Sequence, residues 1–353
     1  MKQMLDELQA LTNEIGRPLK LMEVCGTHTV EIFRHGIRDV IPKSITLLSG
    51  PGCPVCVTSV RDVDAAIALA KISGITVTTF GDMMRVPGGT ESLLEARSEG
   101  ADVRVLYSPL DTLKLAQTEP HRQFVFFGTG FETTSPLIAA SIAQAEKSGI
   151  RNVSVYAAFK LVPPALKALL DSPDVKVDGF ILPGHVSTII GQKPYEFVAM
   201  RYKKPSVITG FEAKEIIEGI LMIVRQIAEK RSAVEIQYRT VVRPEGNPRA
   251  VELLDRYFEP TDAYWRGIGV IQASGLKLRE QYAAFDANRR FNPPASEASE
   301  PEFCSCGDIL RGVKIPTECP LFGTGCTPES PIGPCMVSTE GSCAAYYKYG
   351  NQF

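Results

Sequence analysis

An excess of either charge is the first thing this chain lacks. Its 38 lysines and arginines against 40 acidic residues leave a formal net charge of −2 over 353 residues. That balance gives no electrostatic reason to expect a nucleic acid or an anionic membrane as partner. Long hydrophobic runs are missing as well, since no window reaches the ~18 consecutive apolar residues of a membrane helix. The opening stretch MKQMLDELQALTNEIG carries acidic residues throughout and has no unbroken apolar core. It reads as an amphipathic helix rather than a signal peptide, so a cytoplasmic protein is expected. Cysteine is absent from the whole middle of the chain, between Cys56 and Cys304.

What is present is the composition of a folded globular protein. Apolar residues make up 44% and charged residues 22%, and the length suffices for two or three domains with a full core. From residue 44 onward, strand-like runs alternate with helical ones. SITLLSG, ITVTTFG, VRVLYS, QFVFFGTG, VSVYAAF, DGFILPG and PSVITG read as strands. SVRDVDAAIALAKIS, SPLIAASIAQAEKSG and AKEIIEGILMIVRQIAEK, among others, have apolar residues at helical spacing. Such alternation implies parallel sheets with helices on both faces. The order of elements repeats, which suggests two similar open parallel-sheet α/β domains, 44–118 and 119–225, facing a cleft. Segments 1–43 and 226–353 then form a third, mostly helical or irregular domain. The polar, proline-containing stretch RRFNPPASEASEPEF leads into its cysteine-rich end.

Nine cysteines in a cytoplasmic chain point to metal or redox chemistry more than to structural disulfides. Six of them, Cys304, Cys306, Cys319, Cys326, Cys335 and Cys343, crowd the tail, separated by one, twelve, six, eight and seven residues. Zinc ribbons favour two CxxC turns, and this tail has none. An iron–sulfur cluster accepts wider spacing and is favoured over zinc, with disulfides last. Four ligands from six would leave a spare thiol pair, suited to converting single electrons into two-electron thiol chemistry.

Four further stretches carry chemistry. In SGPGCPVCVT, Cys53 and Cys56 end a strand and precede a helix that Thr58 or Ser59 can cap. Helix-terminal amides lower a thiol's pKa there, as in thioredoxin-type sites. Redox or metal use is favoured over a glycine-rich turn with incidental thiols. In EVCGTHTVEIFRHG, Cys25 ends a strand, and Thr27 or Thr29 can cap the next helix. Alone, that stretch reads as a core cysteine with His28 as a satisfied loop residue; Arg34 and His35 read as solvated. FFGTGFETTSP places Glu132 in a glycine-containing loop that matches no nucleotide fingerprint. ILPGHVSTIIG places His185 after a strand. In open α/β sheets, sites gather at the C-terminal strand edge, so Cys25, Cys53, Cys56, Glu132 and His185 are expected around one cleft.

Together, EVCGTHT, IFRHGI, SGPGCPVCVT, FGTGFETT, LPGHVSTIIG and the tail from CSCG to CAAYYKYG resemble the HypD family of hydrogenase maturation proteins, over nearly the whole chain. Many members carry a second histidine after CGTHT, where this chain has Val30; any proton or ligand task there falls to His28. The resemblance implies a scaffold that, with the small partner HypC, assembles the Fe(CN)2CO unit of NiFe hydrogenase. HypE would donate cyanide transiently, and the hydrogenase large subunit would be reached through HypC. The scaffold would be monomeric apart from these partners. It further implies Cys25 as the thiolate holding the cargo iron and Cys53 with Cys56 as a redox pair. Cys304, Cys319, Cys326 and Cys343 would ligate a 4Fe-4S cluster, and Cys306 with Cys335 would form a disulfide beside it, as in ferredoxin:thioredoxin reductase. The rival readings are a free-standing iron–sulfur thiol–disulfide reductase and a zinc-stabilised interaction protein.

Overall fold

A computed structural model describes residues 1–350. Two parallel sheets organise it. The first has five strands in the order β2-β1-β7-β8-β9: β1 Leu19–Glu23, β2 Ile45–Ser49, β7 Gly179–Pro183, β8 Ser206–Thr209 and β9 Val234–Ile236. The second has four, in the order β4-β3-β5-β6: β3 Ile75–Thr79, β4 Val103–Val105, β5 Gln123–Gly130 and β6 Val153–Phe159. Strands β3, β7 and β8 are buried at every position, as strands covered on both faces must be. The expected α/β class with two parallel sheets is therefore what the chain forms.

The sheets do not follow consecutive halves of the sequence. β2 and β3 are neighbours in sequence yet belong to different sheets, as do β6 and β7. β1, expected in the third domain, pairs with both β2 and β7 at the centre of the first sheet. The chain starts in one sheet, crosses to build the other, and returns. The physical reason is register-matched pairing of apolar strands: Leu21 lies opposite Leu47 on one side and Gly179 on the other.

Segment 226–350 is also less irregular than expected. It holds an antiparallel hairpin, β10 Phe258–Trp265 with β11 Gly269–Leu278. Consecutive residues of β10 from Glu259 to Tyr264 alternate between half-buried and exposed, the period-2 signature of a strand with one wet face. The cysteine-rich end beyond residue 303 contributes three short α-helices, Cys306–Leu310, Pro334–Val337 and Ser342–Tyr349.

One continuous core joins these parts. Met22 and Leu48 of the first sheet, Val77 and Val125 of the second, Trp265 of the hairpin and Cys335 of the tail belong to the same cluster of buried side chains. A second cluster packs helices Lys2–Ile15 and Ala213–Ala228 against the outer face of the first sheet. Gly219 is essential to that closeness, because a Cβ there would fall 1.9 Å from the Thr209 methyl. The helix thereby presses on the end of β8, which carries site residues. No helix among the described residues is long and apolar enough to cross a membrane.

Candidate functional site

Three of the strands in the first sheet deliver chemistry at their C-terminal ends: β1 leads into Cys25, β2 into Cys53 and β7 into His185. The first two of these loops lock together. The Gly26 amide donates to the Gly52 carbonyl at 2.9 Å, and a Cβ on Gly52 would lie 2.2 Å from the Cys25 nitrogen. Only a glycine lets the GPGC loop come this near the Cys25 backbone.

Cys25 is itself the N-cap of helix Gly26–Arg34, in extended conformation. The Thr27 and His28 amides at the helix start favour its thiolate form. Opposing these, burial foremost and then the Glu340 carboxylate push the thiol up to about 11. The expected capping by Thr27 or Thr29 does not occur, because both hydroxyls are engaged elsewhere. Thr27 donates to Glu340 Oε1 at 2.9 Å, and Thr29 to Glu23 Oε1 at 3.0 Å. Likewise Ser59, not Thr58, caps helix Val60–Ala70 through the Asp62 amide; the Thr58 hydroxyl donates to the Pro54 carbonyl.

Cys53 caps the single-turn helix Pro54–Val57 and is disulfide-bonded to Cys56, with Cα atoms 5.2 Å apart. Both are buried.

His28 is fully buried. Its Nε2 lies 2.9 Å from the Gly210 carbonyl and 3.0 Å from Thr209 Oγ1. A carbonyl can only accept, so Nε2 carries the proton and Nδ1 keeps a free lone pair without a partner among the described residues. Burial lowers His28 to about 4 and keeps it neutral. Its ring stacks on Phe211 at 4.7 Å, and His185 stacks on Phe211 at 4.0 Å. His185 is exposed, and partial desolvation lowers its pKa against the pull of Glu340. Of the residues expected around one cleft, Cys25, Cys53, Cys56 and His185 are thus drawn to one edge of the first sheet, with His28 beside them, whereas Glu132 follows β5 of the second sheet. Arg34 and His35 instead pair with Glu31 on a wetter helix face.

Glu132 comes from the end of the second sheet. Its Oε1 accepts the Val162 amide at 3.0 Å, and burial lifts it to about 7. It acts electrostatically on the buried Tyr195 hydroxyl, on which Cys25 acts too.

The six tail cysteines line one tightly packed cavity of only about 10 Å³, with Ile309, Leu321, Phe322 and Met336. Cys306 and Cys335 face each other at 2.8 Å between sulfurs. A Cβ on Gly333 would sit 2.9 Å from the Cys304 sulfur, so the glycine leaves room beside that thiol. No three potential ligands among the described residues are gathered closely enough for a single metal ion. The lining offers six thiols and no histidine or carboxylate, the soft donor type that an iron–sulfur cluster takes. The cavity abuts the Cys53–Cys56 disulfide: helix Pro334–Val337, which carries Cys335, packs on helix Pro54–Val57, which carries Cys56.

Several residues here were not legible as site residues. Glu340 leans on Gly26 from the tail, 313 residues after its partner Thr27. Glu23, buried under Ser49 and Thr29, is lifted to about 7 by burial against the pull of Arg38. Arg266 is fully buried, bonded to Glu300 at 2.8 Å and the Pro87 carbonyl at 2.9 Å, and its charge reaches Cys306. Glu23 opens the EVCGTHT stretch and Glu340 lies in the cysteine-rich tail, whereas Arg266 lies in no stretch singled out by the sequence.

Residues 1–350 match the family model HypD, described as the hydrogenase formation hypA family. The chain is 48% identical over 342 residues to the hydrogenase maturation factor HypD of Rhizobium leguminosarum bv. viciae, covering 95% of this chain and 89% of the relative. It is 44% identical over 349 residues to a putative hydrogenase expression/formation protein of Methanocaldococcus jannaschii, covering 99% and 97%. The HypD of Escherichia coli K12 is 43% identical over 337 residues, covering 95% and 90%. With a match from end to end of the described fold, this chain belongs to the HypD family of hydrogenase maturation factors.

Proposed function

We propose that the protein is the scaffold on which the Fe(CN)2CO unit of NiFe hydrogenase is assembled, in complex with HypC, with HypE as transient cyanide donor. Cys25 holds the cargo iron together with a cysteine of HypC, and a thiolate suits soft, low-spin iron carrying cyanide and CO. Cys304, Cys319, Cys326 and Cys343 hold a resident 4Fe-4S cluster, which when bound supplies electrons one at a time. Cys306 and Cys335 accumulate two, and Cys53 with Cys56 bring them to the Cys25 loop. One observation carries this reading: packing is continuous from the cavity of six cysteines, through the two short helices, to the locked loops of Cys53 and Cys25.

Anaerobic purification with HypC tests it. About four iron and four sulfide per chain are expected beyond the cargo iron. The infrared spectrum of the complex is expected to show cyanide and CO stretches that vanish in Cys25→Ala while cluster absorption persists. Unchanged stretches would remove Cys25 from the site. A colourless protein with one zinc would remove the cluster. The second reading, a free-standing thiol–disulfide reductase, draws on the Cys306–Cys335 contact alone and requires no cyanide bands in the wild-type complex.

A further inference from the structure

Three short helices carry the thiols that would exchange: Pro54–Val57 with Cys56, Cys306–Leu310 with Cys306, and Pro334–Val337 with Cys335. Helices of one turn do not hold their place by their own hydrogen bonds, so packing must position them. One element touches both sides of the pair. In the turn of hairpin β10–β11, the Arg266 amide donates to the Val57 carbonyl at 3.0 Å, one residue after Cys56, and Trp265 bridges to Thr58. The next residue, Gly267, lies against Gly307, one residue after Cys306. A Cβ on Gly307 would fall 2.0 Å from the Gly267 carbonyl oxygen, and a Cβ on Gly267 would fall 2.5 Å from the Gly307 Cα. Backbone therefore meets backbone there, with no side chain between.

The Arg266 side chain pins this turn from inside. It is fully buried; Nε donates to Glu300 at 2.8 Å and Nη1 to the Pro87 carbonyl at 2.9 Å, while Nη2 has no partner among the described residues. Pro87 follows the turn after β3 of the second sheet, and Glu300 lies just before the cysteine-rich end. One guanidinium thus ties the hairpin turn to both. An apolar side chain of similar volume would often stabilise a buried site as well. What it lacks is a rigid fork of donors that fixes its neighbours' geometry.

We propose that Arg266 is a positioning residue for thiol exchange: it sets the hairpin turn as a clamp between the helices of Cys56 and Cys306, so that Cys335 meets the Cys53–Cys56 disulfide in attacking geometry. The inference rests on the relay reading above. Cys335 is fixed along with Cys306, since their sulfurs lie 2.8 Å apart and its helix packs on Pro54–Val57. In the exchange, the Cys335 sulfur attacks the Cys53–Cys56 bond, and Cys306 then opens the mixed disulfide. The Cys53–Cys56 bond breaks, a Cys306–Cys335 bond forms, and two electrons and two thiol protons pass to Cys53 and Cys56. A misplacement of about 1 Å in such a step can cost about a hundredfold in rate. Arg266 acts on it through the backbones of Val57 and Gly307.

Two reductants separate position from access in the anaerobic full chain. Reduced methyl viologen, a one-electron donor, reaches Cys53 and Cys56 by way of the tail, whereas a water-soluble phosphine opens disulfides directly. Iodoacetamide labelling of Cys53 and Cys56, read by mass spectrometry, reports both routes. In Arg266→Met, which keeps most of the volume, viologen-driven labelling is expected to slow about tenfold or more, and phosphine-driven labelling to change less than about twofold. Equal viologen-driven rates in variant and wild type would overturn the clamp. So would phosphine-driven labelling that quickens about tenfold, because Arg266 would then be a plug against solvent. If Arg266→Met does not fold, Glu300→Gln takes its place, since the Glu300 side chain is 35% exposed and tolerates change. It removes the guanidinium's counter-charge, and viologen-driven labelling is expected to slow about two- to threefold. An unchanged rate there would overturn the clamp as well. Wild-type viologen-driven labelling no faster than in Cys335→Ser would instead overturn the relay reading.

Discussion

Burial, more than any ion pair, sets the ionisable groups around Cys25, and the sign of each effect can be read out with pH. Glu132 is lifted to about 7 by burial, above the 4.5 of a free glutamate. A group whose folded pKa is raised contributes stability that is complete below its unfolded pKa and is lost as pH rises through the folded value. Glu132 therefore withdraws up to about 3 kcal/mol between pH 4.5 and 7. Glu132→Gln is expected to flatten that part of the stability–pH curve, measured by urea unfolding at pH 5 and pH 8. An unchanged slope would mean that the carboxyl is hydrated in solution. At Cys25 burial acts first and Glu340 second, both raising the thiol. Glu340→Gln removes a negative charge facing the sulfur while keeping an acceptor for Thr27. The thiolate fraction should rise, and alkylation of Cys25 by iodoacetamide at pH 8 is expected to quicken a few-fold. No change would leave the helix amides as the sole electrostatic control. The cysteines were legible in the sequence because spacing alone marks them. Glu340 and Arg266 were not, since each is ordinary in its own segment and acquires meaning from a distant partner.

At the scale of elements, glycine contacts determine how closely the loops meet. Gly52→Ala would drive a Cβ against backbone atoms of Val24 and Cys25, which cannot swing aside as a side chain can. A loss of about 2–3 kcal/mol in denaturant unfolding is expected. Gly81→Ala is the control: its Cβ would meet only the Val105 methyl at 3.5 Å, an ordinary contact, and the effect should stay within about 0.5 kcal/mol. If the two variants behaved alike, the close approach of the Cys25 and Cys53 loops would not exist in solution. Element type was largely readable from pattern. Val153–Phe159 is an apolar run bounded by turn residues, and Ala213–Ala228 has apolar residues at helical spacing. Hairpin β10–β11 escaped notice because Pro260, Asp262 and Gly275 interrupt its alternation, although residues on either side of the Arg266–Ile268 turn still pair. Sheet membership escaped for a different reason. Whether β2 continues into its own sheet or the chain crosses over is decided by long-range pairing, and local propensity carries no record of it.

At the scale of the whole molecule, the shared core makes the tail part of the same body as the two sheets, and that sets the path between the thiol pairs. Cys53 and Cys56 are 3% and 0% exposed, so a soluble reductant has little direct access to their disulfide. The neighbouring helix carries Cys335, already against Cys306. If Cys306 and Cys335 are both thiols, exchange with the Cys53–Cys56 disulfide moves two electrons and two protons. One disulfide opens, another closes, and nothing else is consumed. Exchange requires an attacking sulfur on the helix that touches Pro54–Val57, and Cys335 is the tail cysteine on it. Anaerobic protein treated with a low-potential reductant and then alkylated is expected to show Cys53 and Cys56 modified in wild type. In Cys335→Ser their modification should slow at least tenfold, while Cys25 alkylation is unaffected. Equal rates in the two proteins would mean that Cys53 and Cys56 are reduced from solvent. The packing between the tail and the first sheet would then serve stability alone, and Cys335→Ala should cost that stability without touching thiol chemistry.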